Sequence, residues 1–299
     1  LHNRIKILIA VILVIGLTFV LPACAPEGEK DGRVGVAVTI LPQAEFVEKV
    51  GGEKVRVTVM VPPGASPHTY EPKPAQMVAL AEAEMYAKVG SGVEFELVWM
   101  DKLVATNKEL VVVDCSKGVT LREMVAEEEP EEEDEHHGRM DPHIWMSPAN
   151  ARIMVSNICD GLVAVDPANR GYYEQNRDAY RQQLEEIDRE MREGLAAVKN
   201  RRFMVYHPAF GYFAAEYGLT MIPIEEEGKE PTAAGLKRLI EQAKAQGIRV
   251  IFAEPQFNPK SAEVIAEAIG GRVVLIDSLA KDYIGNLRQL LSEMLPAMD

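Results

Sequence analysis

Two blocks of the sequence obey the same grammar, and this repetition narrows the fold more than any other feature. In the first block, residues 34–40, 55–61, 85–89 and 110–113 are apolar runs of strand length, and residues 44–50 and 74–83 between them carry helical spacing and capping chemistry. In the second, residues 202–206, 219–224, 250–253 and 273–276 read as strands and residues 236–245 and 261–269 as the clearest helices. Asn258-Pro259 supplies a cap and first-turn pair for the last of these. Helices should fill the remaining intervals. Strands alternating with helices make parallel sheets, so the expected class is α/β, with two similar Rossmann-like lobes of four parallel strands each.

The blocks are separated by residues 171–198, which contain no proline, are dense in Glu, Arg, Gln and Ala, and carry scattered apolar positions such as Leu184, Ile187 and Met191. That is the pattern of a single helix; at 1.5 Å per residue it would run roughly 40 Å, enough to cross both lobes. A surface helix within one lobe is the alternative, and no sustained heptad supports a coiled coil. The expected division is an N-terminal lobe over 34–166, a linking helix over 167–199 and a C-terminal lobe over 200–299.

Residues 1–23 have signal-peptide architecture: Arg4 and Lys6 precede an uncharged apolar run from 7 to 21, which is 15 residues long. A membrane span needs about 20. Leu21-Pro22-Ala23-Cys24 resembles a bacterial lipobox, so Cys24 is expected to carry lipid and residues 24–33 to form a tether. The expected location is the outer face of the cell membrane or the periplasm.

The whole chain has 32 basic and 46 acidic residues, a net charge of -14. Removing residues 1–23, with two basic residues and no acidic ones, leaves 30 against 46, or -16. Such a balance excludes nucleic acid as a natural partner and suits attraction of cations. Cys115 and Cys159 then remain; two buried thiols are expected, with a disulfide as the alternative that export would permit. Residues 127–135 hold seven Glu and one Asp around Pro130, followed by His136 and His137. The plain reading is a solvated, disordered loop; the functional one is weak, fast collection of metal ions at its tip.

Histidine placement is the most informative chemistry. Apart from His2, His136 and His137, the chain has three: His68, His143 and His207. His68 follows a strand through the stiff turn Pro62-Pro63-Gly64-Ala65-Ser66-Pro67, and His207 directly follows the strand 202–206. Ligands of parallel α/β sheets bind beyond the carboxyl ends of strands, so facing lobes would bring these two into one cleft, with Asp277 at the end of strand 273–276. His143 lies between the acidic loop and a helix starting near Pro148. Three imidazoles and a carboxylate make a closed four-coordinate set for a transition metal.

Four segments carry a family resemblance: Pro67-His68-Thr69-Tyr70-Glu71-Pro72, Asp141-Pro142-His143-Ile144-Trp145, Tyr206-His207-Pro208-Ala209-Phe210 and Glu254-Pro255-Gln256-Phe257. With them the chain resembles the solute-binding proteins of zinc and manganese ABC importers, the ZnuA/TroA-like (cluster A-I) family. The resemblance implies two lobes joined by one long rigid helix, with a metal site in the cleft. It implies His68, His143, His207 and Asp277 as ligands, with water or Glu71 as alternatives to Asp277. Glu254 is expected behind the ligands or as a structural cap, and Tyr70, Trp145, Phe210 and Tyr212 as cleft walls. Histidine at position 207, where manganese-binding relatives often place glutamate, favours Zn2+ as transported ligand, with Mn2+ or iron as the alternative cargo. The implied partners of this monomer are an ABC permease with its ATPase, and the membrane through the N-terminal lipid.

No catalysis is expected. An exported zinc hydrolase would need an open coordination position and a base such as Glu254 or Glu71, and no His-Glu-x-x-His motif is present. A non-metal binding protein or adhesin on the same architecture is the other alternative, since fold alone does not decide function.

Overall fold

The computed structural model describes residues 32–124, 140–225 and 228–299. The expected signal segment, Cys24, most of the tether and the acidic loop with His136 and His137 lie outside the described residues. Residues 33–299 form one compact unit.

The first block builds β1 (Val34–Val38), α1 (Leu41–Gly51), β2 (Val55–Val59), α2 (Pro74–Ala81), β3 (Met85–Lys88), α3 (Glu94–Thr106), β4 (Val111–Asp114) and α4 (Pro148–Val165). A long helix, α5 (Arg170–Ala196), follows. The second block builds β5 (Arg202–Val205), α6 (Gly211–Tyr217), β6 (Thr220–Pro223), α7 (Ala233–Ala245), β7 (Val250–Ala253), α8 (Lys260–Ile269), β8 (Arg272–Leu275) and α9 (Tyr283–Ala297). The sheets have orders β2-β1-β3-β4 and β6-β5-β7-β8, and every pairing is parallel. The two orders are the same topology written twice, as the repeated grammar requires.

Several strands end a residue or two before their apolar runs do. Backbone pairing nevertheless continues past them: Met60 N donates to Val38 O at 2.9 Å and Val61 N to Thr39 O at 2.9 Å. The start of α8 also differs from expectation. Its N-cap is Pro259, not Asn258, whose Oδ1 instead accepts from Lys260 N at 3.1 Å in a local turn.

Helix α5 has 27 residues, so it is about 40 Å long. Its buried positions are Tyr173, Tyr180, Leu184, Ile187, Met191 and Leu195, whose spacing places them on one stripe of a charged helix. That stripe joins a hydrophobic cluster running from the first sheet, through α4 and α5, to one face of the second sheet at Phe203, Val205 and Phe252. The opposite face of the second sheet, with Met204, Ile222 and Ile251, packs separately against α7 and α8.

Polar bonds reinforce this shared core. Glu45 on α1 accepts from Tyr180 Oη on α5 at 2.8 Å and from Tyr283 N at the start of α9 at 2.6 Å. Tyr283 Oη donates to Trp145 O at 2.6 Å, and Trp145 Nε1 to Ser278 O at 2.8 Å. Cys115 and Cys159 are buried free thiols, as expected. Among the described residues no helix is long and apolar enough to cross a membrane.

Candidate metal centre

Loops at the carboxyl ends of both sheets meet between the lobes, and each delivers a histidine. His68 comes from the proline-rich loop after β2, held down where Phe95 N donates to Pro67 O at 3.0 Å. His143 precedes a single 3-10 turn, Ile144–Met146, that leads into α4. His207 leaves the end of β5, ahead of α6.

The three Nε2 atoms converge. His68 and His207 are 3.1 Å apart at Nε2, and His207 and His143 are 3.2 Å apart. Among the described residues these three are the group of His, Cys, Asp or Glu whose donor atoms all lie within 4.8 Å of one another.

Each opposite ring nitrogen is occupied by a different carboxylate. His68 Nδ1 meets Glu94 Oε2 at 2.6 Å, His143 Nδ1 meets Asp141 Oδ1 at 2.8 Å, and His207 Nδ1 meets Glu225 Oε2 at 2.9 Å. A carboxylate facing Nδ1 selects the tautomer with the proton on Nδ1, which leaves the Nε2 lone pair outward. The His207 lone pair then faces those of His68 and His143 across little more than 3 Å, with all three atoms within 4.8 Å, an arrangement that repels unless a cation sits among them. Vertices of a tetrahedron drawn at zinc–imidazole bond lengths are about 3.3 Å apart, close to the spacing here.

The supports are themselves fixed. Asp141 Oδ1 also accepts from His143 N at 2.9 Å. Its other oxygen lies so near Gly211 that a Cβ there would sit 2.2 Å from it, so only glycine fits at the start of α6. Glu94 opens α3, and Glu96 two residues later accepts from Val89 N at 2.6 Å, from Gly90 N at 2.9 Å and from Thr39 Oγ1. Those bonds pin the first turn of α3 to the loop after β3. Burial with its desolvation pushes the Glu96 carboxyl up, against the hydrogen bonds that favour its charge.

Burial lowers the His207 pKa to about 4, with Glu225 opposing and the neighbouring His143 and His68 reinforcing the shift. At neutral pH this imidazole is uncharged, the form that ligates. Glu254, fully enclosed, is pushed well above the usual carboxylate range by burial, and its Oε2 accepts from His207 N at 3.3 Å.

Asp277 stands at the end of β8 as expected, but outside the triad's 4.8 Å group; its Oδ1 accepts from Gln256 Nε2 at 2.6 Å and from Leu279 N at 2.9 Å. Glu71 is exposed and likewise outside the group. Of the expected walls, Trp145 lies edge-on to His143 with centroids 5.3 Å apart. Tyr70 and Phe210 make their aromatic contacts with Phe95, and with Phe203 and Phe213. Tyr212 donates to Asp141 O at 3.2 Å, and Phe257 stacks on His207 at 4.6 Å.

Sequence reasoning missed Glu94 and Glu225 altogether and passed over Asp141 and Phe257, although both lie in the recognised segments. For those two the available signal was adjacency to a ligand segment.

The sequence matches the family described as zinc-uptake complex component A, periplasmic (ZnuA), over residues 36–297. The chain belongs to the ZnuA family. It is 32% identical over 256 residues to the high-affinity zinc uptake system protein ZnuA of Bacillus subtilis, covering 84% of this chain and 80% of that one. It is 30% identical over 266 residues to the zinc-binding lipoprotein AdcA of Streptococcus pneumoniae, covering 87% of this chain but 52% of AdcA. The chain thus spans about half the length of that relative. Among solved structures it is similar to a ZnuA crystal structure, with TM-score 0.84 and 42% identity over 89% of this chain and 100% of that one. A zinc-bound ZnuA deletion mutant gives TM-score 0.82 and 41% identity over 89% and 98% of the respective chains.

Proposed function

We propose that this ZnuA-family chain captures zinc outside the cytoplasmic membrane, with His68, His143 and His207 as ligands, and hands it to an ABC permease powered by its ATPase. The observation that carries the reading is the convergence of three Nε2 atoms at 3.1 and 3.2 Å, each ring backed by its own carboxylate. Neutral imidazoles backed by carboxylates are strong ligands for zinc, whereas manganese favours more oxygen donors. The zinc names of the relatives support the same cargo.

Asp277 remains the proposed fourth donor, and to ligate through Oδ1 it would have to share or leave Gln256 and Leu279; water or Glu71 are the other candidates. The proposed division is lobes at 34–166 and 200–299 with the helix between, and the proposed state is a monomer held to the membrane by lipid on Cys24. His136 and His137 would form an accessory collecting site. The role is that of a binding protein, not an enzyme.

A competition titration of metal-stripped protein against a calibrated chelator, with zinc and then manganese, tests this. One tight zinc site that outcompetes manganese and disappears in His207→Ala is the expected result. No tight site, or one indifferent to all three histidines, overturns it.

A further inference from the structure

The triad is split between the lobes: His68 and His143 belong to the first block, His207 to the second. Beyond the shared hydrophobic core, holding His143 beside His207 calls for a tie between the two segments that carry them. A polar cluster on the far side of both histidine-bearing segments has that form.

Ser147, four residues after His143, is the N-cap of α4, and its Oγ accepts from Asn150 N at 3.1 Å. The same hydroxyl donates to Glu216 Oε2, on α6, the helix that follows His207. Glu216 Oε1 meets Arg192 Nη2 on α5 at 3.0 Å, and Arg192 Nη1 donates to Glu216 O at 3.3 Å. Arg192 also pairs with Asp188 at 3.1 Å, and Asp188 accepts from Tyr217 Oη at 3.0 Å. The Arg192 guanidinium lies over the Tyr217 ring, 5.4 Å from its centroid. The positive charge of Arg152 on α4 also favours the ionised form of Glu216, against the larger effect of its burial. The Glu216 side chain is 10% exposed while Arg192 is 51% exposed, so the carboxylate end of the joint is sheltered and the guanidinium end faces solvent.

We infer that Glu216 is a positioning residue for the metal centre, fastening the α4 end of the His143 segment to the α6 end of the His207 segment and both to α5. This rests on the triad being the metal site. The lever is short on the His143 side, where Ser147 comes four positions later; on the His207 side Glu216 lies nine positions on, near the end of α6, which opens with Gly211 against Asp141, the carboxylate that faces His143. Loosening the joint lets the histidines separate, which acts on metal release more than on capture, since affinity differences between related complexes lie mostly in dissociation.

The test uses Glu216→Ala, Glu216→Gln, Ser147→Ala and Ser147→Thr in the intact chain, with stopped-flow zinc release to a chelator and crystal structures of the metal-free proteins. The expected result for Glu216→Ala is release faster by about tenfold, within the range for coupling through a packed joint, with capture rate little changed. The His143–His207 separation at Nε2 should open beyond 3.2 Å. Ser147→Thr, which keeps both the cap and the hydroxyl, should restore slow release that Ser147→Ala loses. If Glu216→Ala does not fold, Glu216→Gln, which keeps the shape but not the charge for Arg192, decides by the same two readouts. Wild-type release rate and spacing in the Glu216 variants would overturn the inference, as would equal loss in Ser147→Ala and Ser147→Thr. A parent chain that binds no zinc would refute the cargo, while the crystallographic spacing would still decide the positioning role.

Discussion

The two kinds of arm in the triad are built differently. His68 and Glu94 have side chains 22% and 20% exposed, while His143 and Asp141 are 3% and 2% exposed and His207 and Glu225 are 8% and 7%. His68 rides on a loop with proline at 62, 63, 67 and 72; the other two spring from segments packed into the shared core. The difference teaches that one arm can yield to solvent while two are fixed by the joining of the lobes. Under the proposed function, entry and exit of an ion would belong to His68, and retention to His143 and His207.

The sharpest way to break this contrast is ligand removal. His207→Ala should weaken zinc binding by more than the roughly 10–100-fold that loss of an outer carboxylate costs, and His68→Ala should leave a weaker but measurable site. Equal losses in chelator competition would erase the distinction between arms.

Acid stability separates the arms next. The His207 pKa of about 4 in the folded state lies below its ordinary 6.5, so the unfolded chain takes up the proton first as pH falls. This contribution to stability is complete above pH 6.5 and is lost between there and about pH 4, amounting to roughly 3 kcal/mol. Urea unfolding of the metal-stripped protein across that window should show the decline, and His207→Ala should flatten it. A decline unchanged in His207→Ala would show that another group controls it.

The carboxylates sharpen the comparison further. Asp141→Asn and Glu225→Gln should each weaken zinc by roughly 10–100-fold, and Glu94→Gln, at the most exposed of the three carboxylates, by the low end of that range or less. Gly211→Ala should act like Asp141→Asn, because the added methyl displaces the same carboxylate. The smallest effect expected is on folding: His68→Ala should change the stability of the metal-free chain by no more than about 0.5 kcal/mol. A large destabilisation would mean that the His68 loop is as structural as the others.

The alternation of strands and helices was legible because each short run is dictated by local periodicity, and His68 and His207 because strand ends are where such sheets present ligands; His143 was legible through the segment that carries the family resemblance. Glu94 and Glu225 were not, since nothing local distinguishes them among 46 acidic residues, and only the fold brings them to an imidazole. The same holds for Glu45, whose partners are 135 and 238 residues away. Asp277 was legible in position and not in partners: its place at the strand end followed from the pattern, but its hydrogen bonds to Gln256 and Leu279 depend on neighbours that periodicity does not place.

The reach of Glu45 has a consequence for how such a chain is made. Its carboxylate, on the first helix, faces the amide of Tyr283 at the start of α9, the helix nearest the carboxyl end. A chain threaded through a membrane amino end first would present Glu45 outside long before α9 arrived. Until then that carboxylate and the apolar stripe of α5 that α9 covers stay open to water. The first lobe can form its sheet early, but its joint is sealed only when α9 has emerged, so removing the segment at Tyr283 should be felt in the lobe that was synthesised first.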